Sequence, residues 1–180
     1  MNHLGTVELK TSRLVLRQFQ ESDANGIFHS FVNNEGFLYY ANKEPRDLEQ
    51  EKASLKDIAK KYENKEYYNW LITLQDGTVI GAIHLNVDNY NDSLEFNYAI
   101  DDTHQNNGYM TEALQAVKEF AVNELQVNRF FGGCEINNIA SQRVMEKCGL
   151  KFEGVLRNYL KLKDGYHDLQ VYSFINQVDT

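Results

Sequence analysis

Proline is almost missing from this chain: Pro45 is the only one in 180 residues. There is also no Ser-rich or Gly-rich tract, no low-complexity segment and no internal repeat. Nothing therefore has the composition of a linker, and residues 1–180 are expected to form a single domain. A chain of this length can bury a core that needs neither disulfides nor a structural metal. Cysteine is equally scarce, with Cys134 and Cys148 alone and no C-x-x-C spacing, so both read as reduced, buried thiols of a cytosolic protein.

Long hydrophobic runs are absent too. No apolar stretch approaches the ~20 residues of a membrane span, and residues 1–10 carry His3, Glu8 and Lys10 where a secretory signal would need ~7–15 apolar residues. A soluble cytoplasmic protein is expected. Basic residues are in deficit, 18 against 26 acidic ones for a net charge of −8, and they are scattered. A nucleic-acid backbone is thus a poor main partner, whereas cationic small molecules or basic peptides are compatible. His29, His84, His104 and His167 are dispersed without metal-ligand spacing, so no metal is expected and solvent or core roles are assigned to them.

What is present is a succession of clear periodicities. Arg13–Arg17 reads as a strand, followed by Ser22-Asp23 as a potential helix cap and by Ala24, Ile27, Phe28 and Phe31 at helical spacing. From Asp47 to about Tyr62, Leu48, Leu55, Ile58, Ala59 and Tyr62 share one face of a second helix. Tyr68–Leu74 and Val79–Leu85 are β-rich runs joined through Asp76-Gly77, a hairpin signal, and Leu94–Ile100 is a further strand. A third helix begins just past Gly108 and runs to about Leu125; Arg129–Ile136 is a strand. Asn137 or Asn138 caps a short helix that Gly149 terminates, and Lys151–Leu162 with His167–Ile175 make a last hairpin across Asp164-Gly165. This order implies an α/β (α+β) fold with a mixed sheet of seven strands and four helices.

Between the strand ending at Ile100 and the helix opening at Gly108 lies a plausible anion site. The first N–H groups of a helix lack intrahelical partners and the dipole adds a positive field. Gly108 permits close backbone approach, and Asn106 and Asn107 tolerate tight turns. The same features also describe an ordinary capped helix. A Walker loop is excluded because no Gly-Lys-Ser/Thr follows, and a dinucleotide fingerprint because one glycine stands where three are needed.

In its wider context, Gln105-Asn106-Asn107-Gly108-Tyr109-Met110-Thr111-Glu112-Ala113 resembles the Q/R-x-x-G-x-G/A signature of the GNAT acetyltransferase superfamily. About thirty residues on, Asn138 to Leu150, with Ser141 and Gly149, resembles that superfamily's second acetyl-CoA element. Similarity to the RimJ/RimL branch, which acetylates ribosomal-protein N-termini, runs from Thr11–Arg17 to Gly165–Ser173. The resemblance implies a mostly antiparallel sheet with splayed central strands. It implies acetyl-CoA as co-substrate, its pantetheine arm lying along Tyr98, Ala99 and Ile100. The pyrophosphate would rest on Gln105, Asn106, Asn107, Gly108, Tyr109, Met110 and Thr111, and Asn138 and Ser141 would approach the pantetheine or thioester. Asn138 also has the character of a simple helix cap. Relatives suggest a monomer or homodimer, and the acceptor cleft would draw its first walls from Val32–Tyr68, rich in Phe37, Tyr39, Tyr40, Tyr67 and Tyr68 with Trp70 nearby.

Three departures from the pattern stand out. Met110 replaces the usual Gly or Ala, although RimL-like members also carry a large residue there. Met145 stands where many members have a tyrosine acid, and Leu156–Lys163 lacks the carboxylate that some RimL-like enzymes place after the Glu153-Gly154 pair. The base must therefore lie elsewhere or be water; the candidate is Glu95, acting directly or through water, which strand alternation puts on one face with Asn97 and Ala99, and a surface carboxylate or a structural ion pair is its bland alternative. Ser141 is the donor expected near the departing thiolate or the oxyanion. The implied reaction is direct attack by a primary amine on the acetyl thioester, with a protein N-terminus as the first choice of acceptor. A small amine such as a polyamine or aminoglycoside, or a non-catalytic acetyl-CoA-binding module, are the alternatives.

Overall fold

The computed structural model describes residues 1–176. Eight strands form one sheet: β1 (Leu9–Lys10), β2 (Leu14–Arg17), β3 (Tyr68–Leu74), β4 (Val79–Asp88), β5 (Ser93–Ile100), β6 (Arg129–Glu135), β7 (Lys151–Leu162) and β8 (Gly165–Ile175). Five helices accompany them: α1 (Ala24–His29), α2 (Glu35–Tyr40), α3 (Leu48–Lys61), α4 (Tyr109–Asn123) and α5 (Ile139–Lys147). The sheet order is β1-β2-β3-β4-β5-β6-β8-β7. Every neighbouring pair is antiparallel except β5–β6, which is parallel.

The sequence periods explain most of this. In β3, Tyr68, Trp70 and Ile72 enter the larger core cluster while the intervening Leu71 enters a second one, so alternation serves two apolar faces. Helix α4 packs Ala113, Leu114, Val117, Phe120 and Ala121 on the larger cluster; α1 and α3 cover the other with Ile27 and Leu55. Helix α3 opens with a capping box between Asp47 and Gln50. Gly149 ends α5 in the left-handed conformation at φ 77°.

Two elements go beyond the seven strands and four helices expected. β1 has two residues and pairs only through Leu9 and Lys10 with Leu16 and Val15, too short for a periodic signal. α2 is six residues containing Gly36 and three aromatics, a poor intrinsic helix former, held by Asn34 accepting from the Phe37 N–H at 2.7 Å. Asp23 does not cap α1 with its side chain as expected. Its carboxylate instead accepts from the Gln20 N–H at 2.7 Å and pairs with Arg17 at 2.8 Å, within a 3₁₀ turn over Glu21–Asp23.

The feature that shapes the molecule is the brevity of the β5–β6 ladder. It joins only Ser93 to Arg129, Leu94 to Phe130 and Glu95 to Phe131, although both strands continue well past those pairs. At the first residues beyond the last pair, Phe96 of β5 lies over Gly132 of β6. A Cβ on Gly132 would come within 2.4 Å of the Phe96 ring. That ring stacks on Phe130 at 4.9 Å and on Tyr98 at 6.0 Å, so its place over Gly132 is fixed. Gly132→Ala should force the ring out of place and cost about 1–3 kcal/mol in urea unfolding. Phe96→Leu in the same chain should recover part of that loss, and strictly additive effects in the double-mutant cycle would show that the two positions do not oppose each other.

Candidate functional site

Beyond the last pair, the β6-facing backbone of β5 from Phe96 to Ile100 and the β5-facing backbone of β6 from Gly132 to Glu135 have no strand partner among the described residues. A cleft of about 1220 Å³ opens there and reaches both faces of the sheet, lined by Tyr98, Ala99 and Ile100 on one side and Gly133, Cys134 and Glu135 on the other. Exposed strand edges of this kind accept an extended, hydrogen-bonding ligand as a pseudo-strand.

At the end of β5 the chain turns through a 3₁₀ segment, Asp102–His104, into the loop before α4. Asn106 and Gly108 adopt left-handed conformations, φ 61° and 77°. The side chains of the loop brace it from within: Gln105 Nε2 donates to Asp102 Oδ1 at 2.8 Å, and Asn107 Nδ2 donates to the carbonyls of Gln105 at 2.9 Å and His104 at 3.3 Å. Gln105 and Asn107 thus shape the loop rather than extend side chains outward. Among the described residues, the backbone N–H groups from Asn106 through Thr111 have no protein acceptor, and the first intrahelical bond is Glu112 N–H to Gly108 C=O at 3.0 Å. A run of donors at the positive end of a fifteen-residue helix fits a diphosphate. Met110 does not interrupt it, because its side chain is buried in the core while its N–H stays at the helix start.

The loop is anchored from a distance. Glu112, in the first turn of α4, accepts hydrogen bonds from Thr11 Oγ1 (2.6 Å), Ser12 Oγ (3.1 Å), the Arg13 N–H (3.0 Å) and Arg13 Nε (2.7 Å). Despite partial burial, these donors hold the carboxyl below its ordinary pKa. Arg13 also donates to the Asn107 carbonyl at 3.0 Å and lies over the Tyr109 ring at 4.5 Å, which leaves a guanidinium beside Gly108. Sequence reading missed Arg13 and Glu112 because they are ninety-nine residues apart.

Helix α5 supplies the opposite wall. Asn138 is the cap, its Oδ1 accepting from the Ser141 N–H at 3.1 Å. The Ser141 carbonyl accepts from the Tyr98 hydroxyl at 3.4 Å. The structure therefore brings Tyr98, Asn138 and Ser141 together at the cleft. Burial raises the Tyr98 phenol and pushes the Cys134 thiol up to about 12, so both keep their protons at neutral pH.

On the other face, Glu95, Asn97 and Ala99 line the cleft with His84 of β4. Asn86 Nδ2 donates to Glu95 Oε2 at 3.1 Å, and Asn86 Oδ1 lies 3.1 Å from His84 Nε2. Burial lowers the His84 pKa, outweighing the hydrogen bonds to Asn86 and the Tyr68 backbone that raise it, and nearby Lys61 adds to the lowering. A solvent or core role was expected of His84; strand pairing of β4 with β5 places it opposite Asn97, with its neighbour Asn86 opposite Glu95. Phe37, Tyr40 and Tyr67 are cleft walls as expected. Tyr68 and Trp70 are not, since both are fully buried in the core. A last polar group closes the far end. Glu135, 4% exposed, accepts from the Asn137 N–H at 2.8 Å and stands 3.4 Å from His167, which pairs with Asp164 at 2.9 Å; Asp164 accepts from the Tyr39 hydroxyl at 3.0 Å. Asp164 and Glu135 raise the His167 pKa. Asp168 and Tyr172 bond within the β7–β8 hairpin, to the Asn158 N–H at 2.8 Å and to Gln170 at 2.9 Å.

Comparison with known proteins agrees with this geometry. Residues 13–151 match the acetyltransferase (GNAT) domain family. YoaA, an uncharacterized N-acetyltransferase of Bacillus subtilis, is 31% identical over 169 residues, covering 93% of this chain and 96% of its own. The ribosomal-protein-serine acetyltransferase of Escherichia coli is 24% identical over 173 residues, covering 94% of this chain and 96% of its own. In fold, the chain superimposes on RimL, the ribosomal L7/L12 α-N-protein acetyltransferase solved with coenzyme A, with a TM-score of 0.80 at 19% identity over 96% of this chain and all of that one. A GNAT-family acetyltransferase from Bacillus anthracis gives 0.81 at 22% identity over 94% of this chain and 99% of that one. With the family matched across the splayed strands, the loop and α5 alike, the chain belongs to the GNAT family and is an acetyl-CoA-dependent N-acetyltransferase.

Proposed function

We propose that this enzyme moves the acetyl group of acetyl-CoA to the N-terminal α-amino group of a protein, such as a ribosomal protein. The observation that carries the reading is a single continuous cleft with the unpaired N–H run of Asn106–Thr111 at one end and the Glu95 face at the other. Donor and acceptor thereby reach the gap between β5 and β6 from opposite sides of the sheet. The name of the Escherichia coli relative supports the acceptor class.

In this reading the N–H groups of Asn106, Asn107, Gly108, Tyr109, Met110 and Thr111 hold the pyrophosphate, with the Arg13 guanidinium beside them. Gln105 shapes the loop through Asp102. The open edge at Tyr98, Ala99 and Ile100 pairs with the pantetheine amides, and Asn138 holds the start of α5 so that Ser141 Oγ faces the thioester. Acetyl-CoA supplies an activated acyl group; the protein's task is to align it with the amine. An α-amino group, with a reference pKa of about 7.7–8.0, is substantially neutral near pH 7.5, unlike a lysine at about 10.4, so a modest base suffices. Glu95 provides the negative charge that draws the proton, and Ser141 donates toward the sulfur as the C–S bond breaks. A small cationic amine is the second reading, favoured by the buried Glu135 carboxylate on the cleft wall.

Thiol release should be observed with peptides bearing N-terminal Ser, Ala or Met and not with blocked peptides whose only amine is a lysine. Turnover confined to polyamines or an aminoglycoside would transfer the assignment to the second reading. Glu95→Gln should lower kcat/KM at least about tenfold; unchanged kinetics would remove Glu95 from the mechanism. Ser141→Ala should lower kcat while acetyl-CoA affinity is retained, and full kcat in that variant would exclude the donor role.

A further inference from the structure

The three side chains His84, Asn86 and Glu95 form an ordered chain across β4 and β5, and their hydrogen-bonding capacities fix its direction. A carboxylate has only lone pairs, so the Asn86 atom 3.1 Å from Glu95 Oε2 is its NH₂ group. That turns Asn86 Oδ1 toward His84 Nε2, also at 3.1 Å, and a carbonyl oxygen accepts only. Nε2 therefore carries the proton, and in a neutral ring the lone pair stays on Nδ1. The imidazole lines the cleft on the acceptor face. Its surroundings are the Tyr68 backbone, which also hydrogen-bonds the ring and raises its pKa, Lys61 at the end of α3, the Tyr67 ring at 5.7 Å, Asn69 and Asn97 as its register partners on β3 and β5, and Glu95 through Asn86.

We propose that His84 is the catalytic base and that Glu95, acting through Asn86, is a positioning residue that fixes the His84 tautomer. The inference rests on the acetyl-transfer reading above and deepens it. As the amine lone pair forms the N–C bond to the acetyl carbon, the C–S bond breaks with its electron pair leaving on sulfur, and the proton lost from nitrogen passes to Nδ1. The imidazolium so formed is stabilised by the Asn86 carbonyl and by the charge of Glu95, then returns its proton to water. This arrangement also gives Glu95 a use without direct contact with the amine.

The test has two arms. In ¹⁵N-histidine NMR of the protein without ligands at pH 7, His84 should be almost wholly the neutral Nε2–H tautomer, and Asn86→Ala or Glu95→Leu should bring the tautomer ratio back toward that of a free histidine. A protonated ring or an Nδ1–H tautomer in the wild type would overturn the proposal without reference to activity. His84→Ala should lower kcat about a hundredfold with the acetyl-CoA KM unchanged, and added imidazole should restore part of the rate. Lys61→Gln should move the acidic limb of the kcat profile to higher pH, because Lys61 lowers the His84 pKa. If His84→Ala keeps its kcat while Glu95→Gln loses it, the relay is wrong and direct action of Glu95 stands. If no acceptor releases thiol even in the wild type, the failure lies with the acceptor reading, and the NMR arm still decides the tautomer.

Discussion

The Phe96 ring lying over Gly132 is the contact on which the rest of the site depends. A parallel β5–β6 pair that continued to the strand ends would satisfy every backbone group in the middle of the sheet and leave nothing to bind. The ladder stops at Glu95 and Phe131, just before the Phe96 ring lies over Gly132, and the molecule keeps two half-open edges in its own interior. The cost is offset by a closely stacked aromatic set, Phe130, Phe96 and Tyr98, and by two apolar clusters, one on each face. The same divergence connects the helix α4 side of the sheet to the α1–α3 side through one continuous cleft.

Electrostatics divide this cleft by function. At one end the donors are backbone groups, arranged by left-handed turns at Asn106 and Gly108 and secured by the Glu112 carboxylate, which ties α4 to the β1–β2 turn. Fixed N–H groups need no reorganisation when an anion arrives. At the other end the polar groups are side chains with partners: Glu95 with Asn86 and His84, Glu135 with Asn137 and His167. Burial keeps the Cys134 and Tyr98 protons in place, so neither competes as a nucleophile or base at neutral pH.

Much of the fold was legible in the sequence because its signals are local. The Asp76-Gly77 hairpin, the Leu114-Val117-Phe120-Ala121 stripe, the Asn138 cap and the Gly149 terminator each depend on a few neighbouring residues, and each stands where its spacing placed it. The misses have the opposite character. β1 is two residues long and α2 is helical only because Asn34 caps it and its aromatics pack, so neither has a period to detect. Tyr68 and Trp70 have the residue types of cleft walls, and only the sheet's two-sided burial assigns them to the core.

The sequence by itself determined the family and the position of the loop before α4, because a strand, a glycine and a helix start in that order create unpaired donors whatever surrounds them. It also set the face of β5 on which Glu95 lies, since alternation along a strand is a property of the backbone. Only the tertiary structure decided what those residues face. Arg13 reaches Asn107 across ninety-four residues, and His84 meets Glu95 by way of Asn86 through strand pairing. Partners of that kind are chosen by how the sheet assembles, and no spacing along the chain records them.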